Sequence, residues 1–84
     1  MKYVCPCCKM ITLEEEPPGT YEICPVCGWE DDEVQFNHPE YCCGANNVSL
    51  NQAIKTFKDI GAIDEDAKEF TREPLPIEIP IVMP

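Results

Sequence analysis

Hydrophobic and polar positions divide the chain into three stretches with different rhythms. In the first, short apolar or β-branched runs alternate with polar turns. Lys2–Val4 and Met10–Leu13 read as short strands, and Thr20–Ile23 as a third that returns antiparallel. Between the last two lies Glu14-Glu15-Glu16-Pro17-Pro18-Gly19, a loop whose Pro18-Gly19 step favours a turn. The second stretch changes to helical spacing. Leu50, Ala53, Ile54, Phe57 and Ile60 fall on one face. Ser49 stands as N-cap with Gln52 three residues on, the capping-box arrangement, and Gly61 follows as a stop. The spacing predicts a helix over about 50–60 whose apolar stripe packs on the ribbon. A second short helix is predicted from Ile63 or Asp64 to Glu69 or Arg72, with Ala67 and Phe70 inward and Glu73-Pro74 ending it. In the third stretch, residues 74–84, four prolines exclude a helix, while Leu75, Ile77, Ile79 and Ile81 alternate. That pattern predicts an extended tail with one apolar face, either docked on its own chain or paired with the edge of another.

Composition limits what these elements can do unaided. The chain has 84 residues, of which 44% are hydrophobic, but seven of those are cysteines and six more lie in the tail. About two dozen apolar residues remain for a core, so a domain of this size calls for a metal, a disulfide or a partner as a staple. The division expected is one domain over 1–73 and a proline-rich tail over 74–84. Six basic and sixteen acidic residues give a net charge of −10. An interface for nucleic acid needs a basic face to neutralise phosphates, and docking on anionic lipid needs one too, so neither is expected. Met1-Lys2-Tyr3-Val4 leads into Cys5 without the apolar run of an export signal, and no stretch reaches the ~20 apolar residues of a membrane span. The expected compartment is the cytoplasm, where thiols stay reduced. Seven is an odd number of cysteines, so they read as metal ligands or redox groups rather than a complete disulfide framework.

Their spacing is specific. Cys5-Pro6-Cys7-Cys8 contains one C-x-x-C pair, Cys24-Pro25-Val26-Cys27 contains another, and fifteen residues separate Cys8 from Cys24. A tight turn lets two sulfurs three positions apart converge on one ion, with backbone N–H groups folding toward them. Pro6 and Pro25 restrict φ at matching positions, and Gly28 can take a positive φ after the second pair. Two such knuckles make a tetrahedral site from Cys5, Cys8, Cys24 and Cys27. With all four positions filled by sulfur, the ion would be structural. Zn²⁺ suits the ligands, and iron in a rubredoxin-like knuckle pair is the alternative. The fold class expected is therefore small α+β and metal-stabilised: zinc-ribbon or rubredoxin-like knuckles, a short antiparallel sheet and one or two C-terminal helices.

Between sheet and helix the chain is acidic and then rich in asparagine. Trp29 is placed to cover the metal site or seal the ribbon against the helix. Glu30-Asp31-Asp32-Glu33 reads as a solvated face in which one or two carboxylates cap turns; a hard-cation site or a mimic of a phosphate backbone are the other readings. Gly44 and Asn46-Asn47 mark a loop, and Asn46 can tie it to Trp29–Asp32 by side-chain hydrogen bonds. Cys7, Cys42, Cys43 and His38 can be assembled on paper into a second site. Adjacent side chains usually diverge, however, so Cys42 and Cys43 are expected to remain thiols. Cys7, inside a knuckle where N–H groups lower a thiol pKa, is open to thiol exchange. His38 is expected at the surface.

Several separated motifs in order resemble the bacterial cysteine-rich CPCC family. They are Cys5-Pro6-Cys7-Cys8, Gly19–Cys27, Trp29-Glu30-Asp31-Asp32, then Gly44-Ala45-Asn46, Ser49-Leu50 and Ala53. The resemblance runs from about residue 3 to 74. It implies a zinc-ribbon-like fold and a bacterial or phage origin, and it supplies no established reaction. Lys9 stands where a glycine is expected after the first knuckle, and Cys43 where the first of two glycines is expected.

The function expected is a zinc-binding, non-catalytic, acidic protein-interaction module that meets a basic partner. Two alternatives belong to other classes. One is a rubredoxin-like electron carrier, and the other a metal-dependent hydrolase using Glu30, Asp31, Asp32 or His38.

Overall fold

The computed structural model of the chain describes residues 2–80. The first element is a two-stranded antiparallel sheet, β1 (Tyr3–Val4) and β2 (Ile11–Leu13), paired Tyr3 to Leu13 and Val4 to Ile11 with an irregularity between them. The first knuckle connects the two. A sheet of this size is marginal by itself, so its persistence depends on what packs against it.

The third strand expected over Thr20–Ile23 does not form. Tyr21 takes a φ of 59°, which breaks the extended run, and the segment folds back on its own continuation instead of reaching β2. Tyr21 N donates to Asp31 O, Asp31 N to Glu22 O and Cys24 N to Trp29 O, each at 2.9 Å. Only the Ile23–Glu30 pair has bridge geometry. The Glu22 carboxylate then accepts the amide of Glu14 through both oxygens, at 2.9 and 2.8 Å, which holds the 14–19 loop over this second hairpin.

Next comes α1 (Glu33–Asn37), a short helix absent from the sequence expectations. It starts on Asp32, whose Oδ1 accepts the amide of Gln35 at 3.0 Å. Then α2 spans Leu50–Ile60, the predicted helix, with Ser49 Oγ accepting from Gln52 N and Gly61 ending it in the left-handed region. Its Leu50 and Ala53 are buried, and Ile54, Phe57 and Ile60 are half-buried beside them. The stripe therefore joins the core that the knuckle cysteines form, in keeping with the expected packing on the ribbon. The second predicted helix is a 3-10 turn, Asp66–Glu69, started by Asp64 Oδ1 accepting from Ala67 N at 2.8 Å. Ala67 points inward as expected, but Phe70 does not; it is 59% exposed.

Among the described residues, the core is one cluster of thirteen buried residues, five of them Cys5, Cys7, Cys8, Cys24 and Cys27. Trp29 belongs to it, fully buried, with Leu13, Val26, Ala62 and Ile63. The two C-terminal segments are strapped to the second knuckle through its carbonyls: Ile63 N donates to Cys27 O and Arg72 N to Pro25 O.

The extended reading of 74–84 gives way to a 3-10 turn at Pro76–Glu78. The cause is Glu78, a buried carboxylate in an otherwise apolar tail. It accepts two bonds from the Arg72 guanidinium and one from Leu75 N, all at 2.8 Å. The tail as far as Ile79 is thus docked on its own chain, although Leu75, Ile77 and Ile79 remain exposed. Ile81 and the last three residues lie outside the described residues. The Arg72 guanidinium, with help from the Leu75 amide, holds the Glu78 carboxyl at about 2, well below its ordinary 4.5. A carboxyl depressed on folding stabilises the docked state above its unfolded pKa, and loses that effect as pH falls through the folded one. Docking should accordingly be unchanged from neutral pH down to about 4.5, then fade toward about pH 2. The chemical shift of the Leu75 amide would report it. Glu78→Gln should show the undocked shift already at neutral pH, and a variant that keeps the native shift would refute the role of the pair.

Candidate metal centre

Both knuckles are built alike. In the first, Lys9 N donates to Cys5 O at 2.9 Å and Cys5 N to Met10 O at 2.9 Å; in the second, Gly28 N donates to Cys24 O at 2.8 Å and Cys24 N to Trp29 O at 2.9 Å. The same two bonds, nineteen positions apart, close each turn so that its two sulfurs face one point. The residue after each turn has a positive φ, 67° at Lys9 and 88° at Gly28. Gly28 needs its missing side chain twice over, since a Cβ there would meet the Cβ of Ala67 at 2.9 Å. Lys9 is exposed and carries the left-handed backbone with a side chain, at a cost of roughly 1–2 kcal/mol. Lys9→Gly should therefore stabilise the metal-loaded protein by about 1 kcal/mol after glycine's own entropy is counted. A urea titration would show the midpoint rise; a fall would mean that the Lys9 side chain contributes something the backbone argument omits.

The geometry brings the four predicted cysteines together. The ligand atoms of Cys5, Cys8, Cys24 and Cys27 lie within 4.8 Å of one another, and all four residues are at most 5% exposed. The Cys5–Cys27 and Cys8–Cys24 sulfurs are each 3.7 Å apart. Disulfides would bring them to about 2 Å. A tetrahedral ion with sulfur at about 2.3 Å requires edges of about 3.8 Å. These two separations match the edges of a four-coordinate site, and the cluster can hold a metal ion. Trp29 N donates to Cys27 Sγ at 3.4 Å, and Thr12 Oγ1 lies 3.1 Å from Cys24 Sγ. Both contacts support negative charge on sulfur.

Without an ion, four thiols this close cannot all ionise. Hydrogen bonding with Cys27, then Cys5 and Cys8, drives Cys24 down toward the thiolate. Cys8 and Cys27 are pushed up, in each case chiefly by their contact with Cys24. The metal-free cluster thus retains protons that a divalent ion must displace, which makes binding pH-dependent.

Among the described residues, this cluster is the one group of His, Cys, Asp or Glu side chains close enough to share an ion. The second site imagined from Cys7, Cys42, Cys43 and His38 does not assemble. Cys7 is buried at 2% in the core, which closes it to thiol exchange; His38 is exposed at the end of α1; and Cys42 and Cys43 form a disulfide with each other. The expectation that this pair remains as thiols is corrected: Cys43 turns into the left-handed region at φ 76°, which brings two otherwise diverging side chains together.

The acidic segment is a solvated face only in part: Glu33 is exposed and Glu30 half-buried, and Asp32 caps a turn as expected, at α1, but Asp31 and Asp32 are both buried. Asp31 is fully buried, and its Oδ2 accepts from both Thr20 N and Thr20 Oγ1 at 2.9 Å. Its other oxygen and Trp29 Nε1 are buried without a protein partner among the described residues. Asp32 is 6% exposed and accepts from Ala45 N and Gln35 N, which holds its carboxyl below the usual range. Asn46 ties the loop as predicted: it accepts from Glu30 N through Oδ1 and donates to Glu30 O through Nδ2, both at 2.8 Å. The residue that sequence reasoning missed is Gln35. Fully buried, it accepts from Asn46 N and Nδ2 and donates to Tyr41 O and Val48 O. A signal existed, because Asp32-x-x-Gln35 is the same capping pattern as Ser49-x-x-Gln52.

The model of the family described as cysteine-rich CPCC matches residues 3–78, and the chain belongs to that family. The match extends past Pro74 to take in Glu78, the partner of Arg72. No curated protein matches the chain.

Proposed function

We propose that this member of the cysteine-rich CPCC family is a cytoplasmic, zinc-binding, non-catalytic module whose acidic surface meets a basic protein partner. Cys5, Cys8, Cys24 and Cys27 are the ligands, each as a thiolate. One observation carries the reading: the four cysteines are buried with their sulfurs within 4.8 Å of one another, and four such ligands would fill every position of a tetrahedral ion. Zinc supplies cross-linking there and no redox chemistry. The residues of the acidic segment act on the backbone around it, through Asp31 and Asp32, rather than on an open site.

The surface supports the partner. Glu65, Asp66 and Glu69 are exposed beside the exposed Phe70. A groove of about 200 Å³ runs between Phe70 and Ile23, with Glu30, Asp64 and Asp66 on its walls. A cleft with exposed apolar side chains at its edge and carboxylates on its walls suits a basic segment with an apolar anchor. Among the described residues, no helix is long and apolar enough to cross a membrane.

Metal quantification on protein expressed in iron-replete medium tests the first half. One zinc per chain in a colourless protein is expected. A red protein with thiolate-to-iron absorption would replace this reading with an electron carrier. Crosslinking in cells tests the second half: the crosslinked peptides of the partner should be basic, and binding should weaken as salt rises. A partner that is acidic, or salt-independent binding, would overturn it.

A further inference from the structure

Five of the seven cysteines are buried, and Cys42 and Cys43 are the two that meet solvent. They lie in the loop between α1 and α2, joined to each other. The loop is fastened on both sides of the pair. Before it, Tyr41 O accepts from Gln35 Nε2 at 3.1 Å. After it, Ala45 N donates to Asp32 Oδ2 at 2.9 Å and Asn46 N to Gln35 Oε1 at 3.1 Å. Asp32, Gln35 and Asn46 are all buried, so the fastenings belong to the core. Gly44 fits between them because a Cβ there would meet Asp32 Oδ2 at 2.7 Å. The pair therefore spans a short arc with fixed ends.

We propose that Cys42–Cys43 is a thiol–disulfide exchange site that takes two electrons from dithiols, separately from the metal cluster. Exposure admits the attacking thiolate. It bonds to one of the two sulfurs, the S–S bond breaks, and the released sulfur takes up a proton. The second thiolate of the dithiol then attacks the mixed disulfide, closes its own ring and releases the other cysteine as a thiol. Two electrons and two protons pass from the dithiol to the protein. The fixed ends act in the reverse direction, since they keep both thiols within reach of each other and make re-closure intramolecular. The Asn47 carbonyl lies 3.5 Å from Cys42 Sγ and 3.8 Å from Cys43 Sγ, placed to accept from either S–H once the bond is open.

The test uses the full-length, metal-loaded chain, a brief pulse of dithiothreitol, iodoacetamide, and mass spectrometry of the labelled peptides. Before the pulse, Cys42 and Cys43 should carry no label. After it, both should be labelled, with Cys5, Cys7, Cys8, Cys24 and Cys27 unlabelled and the metal content unchanged. Returned to oxidised dithiothreitol, the pair should close again as monomer, and Ala45 amide exchange, faster in the reduced form, should slow. Cys43→Gly keeps the backbone conformation and should leave Cys42 labelled without any pulse, which shows that the assay detects it. Label on both residues before the pulse, resistance to the pulse, or intermolecular disulfides in place of re-closure would each overturn the proposal. Loss of metal during the pulse would overturn its separation from the cluster.

Discussion

Cys24→Ser should abolish the fold. The variant should lose the dispersed amide spectrum of the native protein and retain no metal, and a strong chelator applied to the native chain should do the same. The magnitude follows from the size of the pieces. The sheet has strands of two and three residues, and five of the thirteen core residues are cysteines. Four-thiolate zinc supplies roughly 10–16 kcal/mol of apparent free energy at neutral pH, against a total net stability of about 5–15 kcal/mol for ordinary domains. Removing one sulfur leaves three thiols and an incomplete tetrahedron in a buried site. Cys7→Ser provides the contrast, because Cys7 is equally buried but stands outside the cluster. It should soften the core and retain the metal at one per chain. A Cys24→Ser protein that stays folded, or a Cys7→Ser protein that loses its metal, would refute the assignment.

Asn46→Ala should produce the second largest effect and leave the metal in place. Its side chain bonds both backbone groups of Glu30 and the Oε1 of Gln35. Truncation strands the Glu30 N–H and C=O in a half-buried position, and each group left unpaired costs about 1–3 kcal/mol. A loss of about 3 kcal/mol in urea unfolding of the metal-loaded protein is expected. Asn46→Asp should be at least as damaging, because it places a carboxylate oxygen where an N–H₂ now donates to two acceptors. A change under about 1 kcal/mol for both variants would show that solvent takes over the stranded groups.

Local chemistry accounts for what could be read in advance. Cys5, Cys8, Cys24 and Cys27 were legible because a two-residue spacer fixes sulfur geometry within a single turn. The helix at Leu50–Ile60 was legible because cap, apolar stripe and stop are all encoded within thirteen residues of Ser49–Gly61. Asn46 was legible as a loop side chain whose amide can both donate to and accept from a neighbouring backbone. In the knuckles and the helix the signal and its consequence lie close together along the chain, whereas Asn46 reaches Glu30 sixteen positions away.

What required the tertiary structure was which polar groups are withdrawn from water and which donors and acceptors meet them. Asp31 and Asp32 look solvated in a run of acids, and only the approach of Thr20 and Ala45 turns them inward. Gln35 becomes the hub of the fold because Tyr41, Asn46 and Val48 converge on it, a convergence no local rule contains. The Thr20–Ile23 strand failed because Tyr21 pairs with Asp31 in preference to β2, and the tail turned because Glu78 met Arg72. Sequence by itself determined where sulfur converges and where a helix starts and stops, since backbone geometry over a few residues decides both. Tertiary structure decided which polar groups are buried, because burial depends on donors and acceptors supplied from elsewhere in the chain.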